Sequence, residues 1–181
     1  MELTSEKGYD KVTVEDITER ANLGRTTFYL HYQSKDDLLV DHHNNVAEDI
    51  RLGEVSAEAL LETGPRPAIV TMLSQLKAHP AVYAAFTTSK DAALIRHKIV
   101  SDAVERLVAG FDRVFPGQEP AVPAGVLAEH LVRSQMAMMD WWIQTSTGYT
   151  AEQCAAHIQW LRSTAIAAAY DTGVFTHSAG P

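Results

Sequence analysis

Thr13–Tyr32, TVEDITERANLGRTTFYLHY, reads as two short helices joined by a tight corner, and the rest of the chain is laid out around it. Thr13 is placed to cap the first helix, its hydroxyl accepting from the backbone N–H of Asp16 while the Asp16 carboxylate sits by the positive helix end. Val14, Ile17 and Ala21 recur at i, i+3 and i+7 as one inward stripe, with Glu15, Asp16, Glu19 and Arg20 facing water. Asn22-Leu23-Gly24 ends the helix, because Asn and Gly tolerate the left-handed conformation and Leu23 is apolar enough to plug the corner. A second helix opens at Arg25. Phe28 and Tyr32, at i and i+4, point into a small core and leave Arg25, Thr26, Thr27, Tyr29 and His31 outside. A short polar helix held at a fixed angle by a partner has the shape that enters a major groove with its N-terminal residues at base edges. Arg grips guanine bidentately and Thr meets a base edge or a thymine methyl, while Tyr29 and His31 suit phosphates. An ordinary amphipathic hairpin would satisfy the same periodicity.

The longer run Gly8–Leu39, GYDKVTVEDITERANLGRTTFYLHYQSKDDLL, resembles the DNA-binding signature of the tetracycline-repressor (TetR) family. The elements that carry the resemblance are Gly8-Tyr9, Thr13-Val14-Glu15-Asp16-Ile17, the aromatic pair Tyr29 and Tyr32, and Ser34-Lys35-Asp36-Asp37-Leu38. They cover residues 3–45; beyond that only a general helical body is similar. The resemblance implies an operator interface of double-stranded DNA with Thr13, Arg25, Thr26, Thr27, Tyr29, His31 and Lys35. Two departures stand out. The family usually carries Gly where Asn22 stands and often Ser where Gly24 stands, and the same turn is expected. Family members also have a full first helix with basic residues before it, whereas only Met1–Lys7 precede Gly8 here. One helical turn does not cover a three-helix core. Either the start lies elsewhere or the module is partly open.

The chain has 181 residues, 46% hydrophobic and 21% charged, a globular balance that allows a small domain beside one larger core. No apolar run approaches the ~20 residues of a membrane span, and residues 1–10 are too polar for a signal peptide, so the expected address is cytoplasmic. The single cysteine, Cys154, allows no internal disulfide. The net charge is −8, and residues 1–45 carry Lys7, Lys11, Arg20, Arg25 and Lys35 against nine acids. That excludes a nonspecific polyanion binder, and DNA binding then requires cations placed where phosphates lie. Lys11, Arg25 and Lys35 fall near the expected contact face.

Ser34 caps a further helix through about Arg51, with Leu38, Leu39, Val46 and Ile50 inward. Its adjacent His42 and His43 point to different faces and make no metal pair. Residues 53–67 form the best boundary region. Apolar spacing then predicts helices over residues 68–79, after Pro80, over 91–115, over 123–147 and over 151–170, the last opened by a Thr150/Gln153 capping box. The fold class is all-α: a helix-turn-helix DNA-binding domain at 1–45 and a helical ligand-binding and dimerisation domain at 46–181.

The resemblance implies that the last two helices pair with their copies into a homodimer and that the middle helices surround a small-molecule effector. Tyr83, Phe86, His97, Phe111, Met138, Met139, Trp141 and Trp142 are the expected lining, soft and aromatic enough for a mostly apolar ligand, although filled core reads equally well. No cofactor and no metal site are expected. Signatures of enzyme chemistry are missing: no phosphate loop, H-E-x-x-H, G-x-S-x-G or CxxC. Glu129-His130 with Cys154 and His157 is the strongest catalytic grouping, and the chain is expected not to be an enzyme. The functional expectation is a ligand-responsive transcriptional repressor released from a pseudo-palindromic operator. The alternative is a helical dimer that binds a ligand or partner and has lost DNA binding with its first helix.

Overall fold

A computed structural model of the chain describes residues 2–48 and 60–170. Among them are nine α-helices, one 3-10 turn and no strand: α1 Glu2–Lys7, the 3-10 turn Tyr9–Lys11, α2 Val14–Arg20, α3 Arg25–His31, α4 Lys35–Glu48, α5 Pro67–Ala78, α6 Pro80–Thr87, α7 Ala92–Val114, α8 Ala124–Gln144 and α9 Ala151–Ala169. The helix ends obey local chemistry. Thr13 and Thr150 each form a reciprocal capping box, with Asp16 and Gln153, and Pro80 opens α6 at a position where the missing N–H costs nothing. Gly117 follows α7 at φ +74, a conformation that a side chain resists. The Val46 and Ile50 part of the α4 stripe, and residues 53–59 of the boundary region, lie outside the described side chains.

The chain divides into two compact units, Met1–Asp49 with Ser74–Ile99, and Ile50–Leu73 with Val100–Pro181. In the first unit α6 packs on α1 and on the 3-10 turn, bringing the buried Val82, Ala85 and Phe86 to the side where Thr4 and Tyr9 are buried. In the second unit Leu107 and Phe111 of α7 and Phe115 just after it meet Leu127, Ala128 and Leu131 of α8 and Ile166 and Tyr170 at the end of α9, with Leu60 among them. The Phe115 and Tyr170 rings stack at 4.1 Å.

Candidate nucleic-acid interface

The corner between α2 and α3 is built differently from the simplest reading. Asn22 alone takes the left-handed conformation, at φ 53, while Gly24 is extended and caps α3. Leu23 does not plug the corner, being 55% exposed. The corner is closed instead by backbone hydrogen bonds from Asn22 to Glu19 at 3.1 Å and from Leu23 to Thr18 at 2.9 Å. The inward residue of α2 is also not the expected one. Thr18 is buried and donates its hydroxyl to the carbonyls of Val14 and Glu15, whereas Val14 and Ile17 are half-buried and Ala21 is exposed. A threonine that satisfies its hydroxyl on its own helix buries its methyl at little cost.

α3 follows its periodicity. Phe28 is buried, with the Tyr29 ring edge-on at 5.4 Å and the Tyr32 ring at 5.6 Å. The Tyr32 hydroxyl donates to Asp41 Oδ2 at 2.9 Å, anchoring the end of α3 on α4. That bond, with partial burial, raises the Tyr32 pKa. Arg25, Thr26, Thr27, Tyr29 and His31 are all exposed, and so is Leu30 at 76%.

The cations of residues 1–45 are mostly engaged. Arg20 bridges Glu2 and Glu6, Lys7 meets Asp16 at 2.5 Å, and Arg25 meets Glu15 at 2.6 Å across an exposed pair. The Asp16 carboxylate, holding Lys7 and both capping bonds of Thr13, is kept well below the usual carboxylate range. Lys35, expected on phosphates, is turned inward. Its ammonium donates to the carbonyls of Tyr9 at 2.8 Å and Val12 at 2.9 Å and lies 4.4 Å from the Tyr9 ring centre. Beside it the Tyr9 hydroxyl donates to Asp36, and burial followed by that carboxylate pushes the phenol far up. Lys35 is thus a clasp between the 3-10 turn and α4. Lys11 is exposed and has no partner among the described residues. Asp37, in the first turn of α4, pairs with Lys98 of α7, and this ion pair lowers its pKa. Thr13 is likewise committed, its hydroxyl donating to Asp16 Oδ2 at 2.6 Å and accepting from the Asp16 N–H at 3.2 Å.

The first unit contains a cavity of about 480 Å³ under α1, reached by Leu3, Tyr9, Val12, Ile17, Leu38 and Leu39.

A family model for bacterial regulatory proteins of the tetR family matches residues 1–41. Residues 1–41 are thus similar to the module that this family model describes. Among curated proteins the chain is 28% identical over 108 residues to an uncharacterized HTH-type transcriptional regulator, YdeS, of Bacillus subtilis. The match takes in 60% of this chain and 48% of the relative, so the chain spans about half the length of the curated relative it matches. A solved structure of a transcriptional regulator of the TerR/AcrR family from Aquifex aeolicus overlaps it at a TM-score of 0.45 and 23% identity, over 87% of this chain and 90% of that one. The matched tetR segment ends inside α4, so the body rests on its own geometry.

Beyond the tetR module, the expected effector lining divides between the units. Tyr83, Phe86 and His97 belong to the first, and Phe111, Met138, Met139, Trp141 and Trp142 to the second. Phe111 is core, packed 5.5 Å from the Tyr170 ring, and Met139 is buried. Trp142 is buried with its indole N–H on the Tyr149 carbonyl at 2.9 Å, while Trp141 and His97 are exposed. No helix among the described residues is long and apolar enough to cross a membrane, and no group of three His, Cys, Asp or Glu is arranged to hold a metal.

Proposed function

We propose that the chain is a ligand-responsive transcriptional repressor that binds a pseudo-palindromic DNA operator as a homodimer. The observation that carries this reading is the outer face of α3, a row of exposed hydrogen-bonding side chains set on a capped α2 inside a tetR-type module. Arg25, Thr26 and Thr27, in the first turn, are placed to read base edges, and Tyr29 and His31 to meet phosphates. The Arg25–Glu15 pair is no obstacle, since an exposed ion pair is worth at most about 1 kcal/mol and yields to guanine or phosphate. Lys11, being free, takes the phosphate role that the inward-turned Lys35 gives up.

Dimerisation is supported by apolar area on α8 and α9: Val126, Trp141, Trp160 and Leu161 are all exposed in the single chain. The effector is a small molecule bound by the second unit. α4 transmits its effect, because it carries the Tyr32 anchor of the reading helix and, through Asp37, is joined to Lys98 of α7, whose later turns belong to the second unit. Coupling of about 1–3 kcal/mol would weaken the operator complex roughly 5- to 150-fold.

The test is a selection from random duplex oligonucleotides followed by a binding titration. A recovered pseudo-palindrome, with Arg25→Ala relaxing the preference at one position of each half-site, is the expected result. Absence of any preference would instead favour a helical dimer without a DNA function, a reading supported by how few cations of the module stand free.

A further inference from the structure

The second unit carries a polar cluster that the reading above does not use. Gln159 of α9 is completely buried, at 0% exposure, and its Nε2 donates to the Glu62 carbonyl at 2.8 Å, fastening α9 to the segment that leads into α5. Its Oε1 is buried with no hydrogen-bond partner among the described residues. Buried acceptors are rarely left in that state, and each one invites an explanation. One turn farther along the same face of α9 stands Arg162, and four residues beyond Glu62 stands Arg66, so the Gln159–Glu62 bond brings the two guanidinium-bearing stretches together.

Both arginines are half-buried, and neither has an ion-pair partner among the described residues. Burial pushes the Arg162 guanidinium down to about 10, and the neighbouring charge of Arg66 pushes the same way. Burial lowers Arg66 as well, against the opposing pull of Glu62. Two partly buried like charges in one neighbourhood are unfavourable in an empty protein and become favourable when an anion sits between them. Guanidinium forks match the two oxygens of a carboxylate. The flanking residues on that face of α9, Ile158 and Ile166, are buried and apolar, which suits the hydrocarbon body of an organic molecule better than a bare inorganic ion.

The geometry points to a binding site in which Arg162 and Arg66 hold the carboxylate of a small organic acid, beside the buried, unpartnered Gln159 carbonyl oxygen. This names the chemical class of the effector and so rests on the second unit being the ligand-bearing part of the regulator.

The experiment uses the full chain, first without DNA and then, for acids that bind, with the operator recovered by selection. Thermal unfolding is followed with acetate, hexanoate and benzoate, each against its amide at equal ionic strength, and with inorganic phosphate. The acids are expected to raise the melting temperature above their amides, hexanoate and benzoate more than acetate. Arg162→Met is expected to reduce acid affinity about tenfold or more, the loss of a charged hydrogen-bonding partner, with Arg162→Lys in between. Without ligand, R162M should melt no lower than the parent, since an unpaired buried charge has been removed. If R162M does not fold, Arg66→Met carries the same readout. Acids no better than amides, phosphate outdoing every acid, or a ligand-free R162M melting well below the parent would each overturn the assignment. Acids that bind through Arg162 but leave operator affinity unchanged would preserve the site and overturn the effector reading instead.

Discussion

Lys35 and Lys11 show how one residue type serves two purposes within a single module. Lys35 donates to carbonyls of the 3-10 turn and covers the Tyr9 ring, so Lys35→Met should cost about 1–3 kcal/mol in a denaturant melt, the usual range for a lost charged hydrogen bond. It should leave the salt dependence of DNA binding almost untouched. Lys11→Ala should do the reverse, keeping stability within about 0.5 kcal/mol and lowering the slope of log affinity against log salt by about one. A K35M protein with normal stability and a reduced salt slope would return Lys35 to the phosphates. Nothing in sequence spacing separates the two lysines, because the carbonyl targets of Lys35 lie 26 and 23 residues away along the chain.

At the level of elements, the two capping boxes were legible in the sequence because a cap involves residues three apart. Thr150→Ala removes one of them from α9 and should cost about 1 kcal/mol, measured by the shift of a urea midpoint. Thr13→Ala should cost about the same and weaken operator binding only through the loosened α2. The caps also set an acid limit. Asp16 and Asp37 both have folded-state pKa values lowered by their partners, first Lys7 for Asp16 and first Lys98 for Asp37. Groups of this kind contribute stability that is present above the unfolded carboxylate pKa, near 4, and is lost as pH falls through the lower folded value. Stability should therefore drop below about pH 4, and Asp16→Asn with Asp37→Asn should flatten that limb of a stability-against-pH curve. An unchanged limb in the double variant would locate the acid sensitivity elsewhere.

For the molecule as a whole, the question is what covers the apolar face of α8 and α9. Trp160, 51% exposed, and Leu161 lie on it, with Trp141 and Val126 on the facing helix. Replacing Trp160 and Leu161 together by Glu puts charge on the face while leaving the buried Ile158 and Ile166 in place. Sedimentation at micromolar concentration should then show the parent at twice the 19.9 kDa chain mass and the variant at that mass. A parent sedimenting as a single chain would remove the two-fold operator model with it.

By itself the sequence determined what depends on neighbours along the chain: the all-helical class, the helix starts at Thr13, Pro80 and Thr150, the break at Asn22, the outward row on α3, and the signature of the tetR module. Those follow from a period of 3.6 residues and from caps that span a single turn. Tertiary structure alone decided which member of a nearly even set was buried. Thr18 went in because its hydroxyl closes on its own helix, Leu23 stayed out because backbone bonds already close the corner, and α6 packs on α1 and the 3-10 turn, contacts between residues some 75 positions apart along the chain. It also decided where charge gathers. The Gln159–Glu62 bond joins positions 97 residues apart and draws the stretches that carry Arg162 and Arg66 together, and a residue pattern read over a turn or two carries no information about a contact that only the closed chain makes.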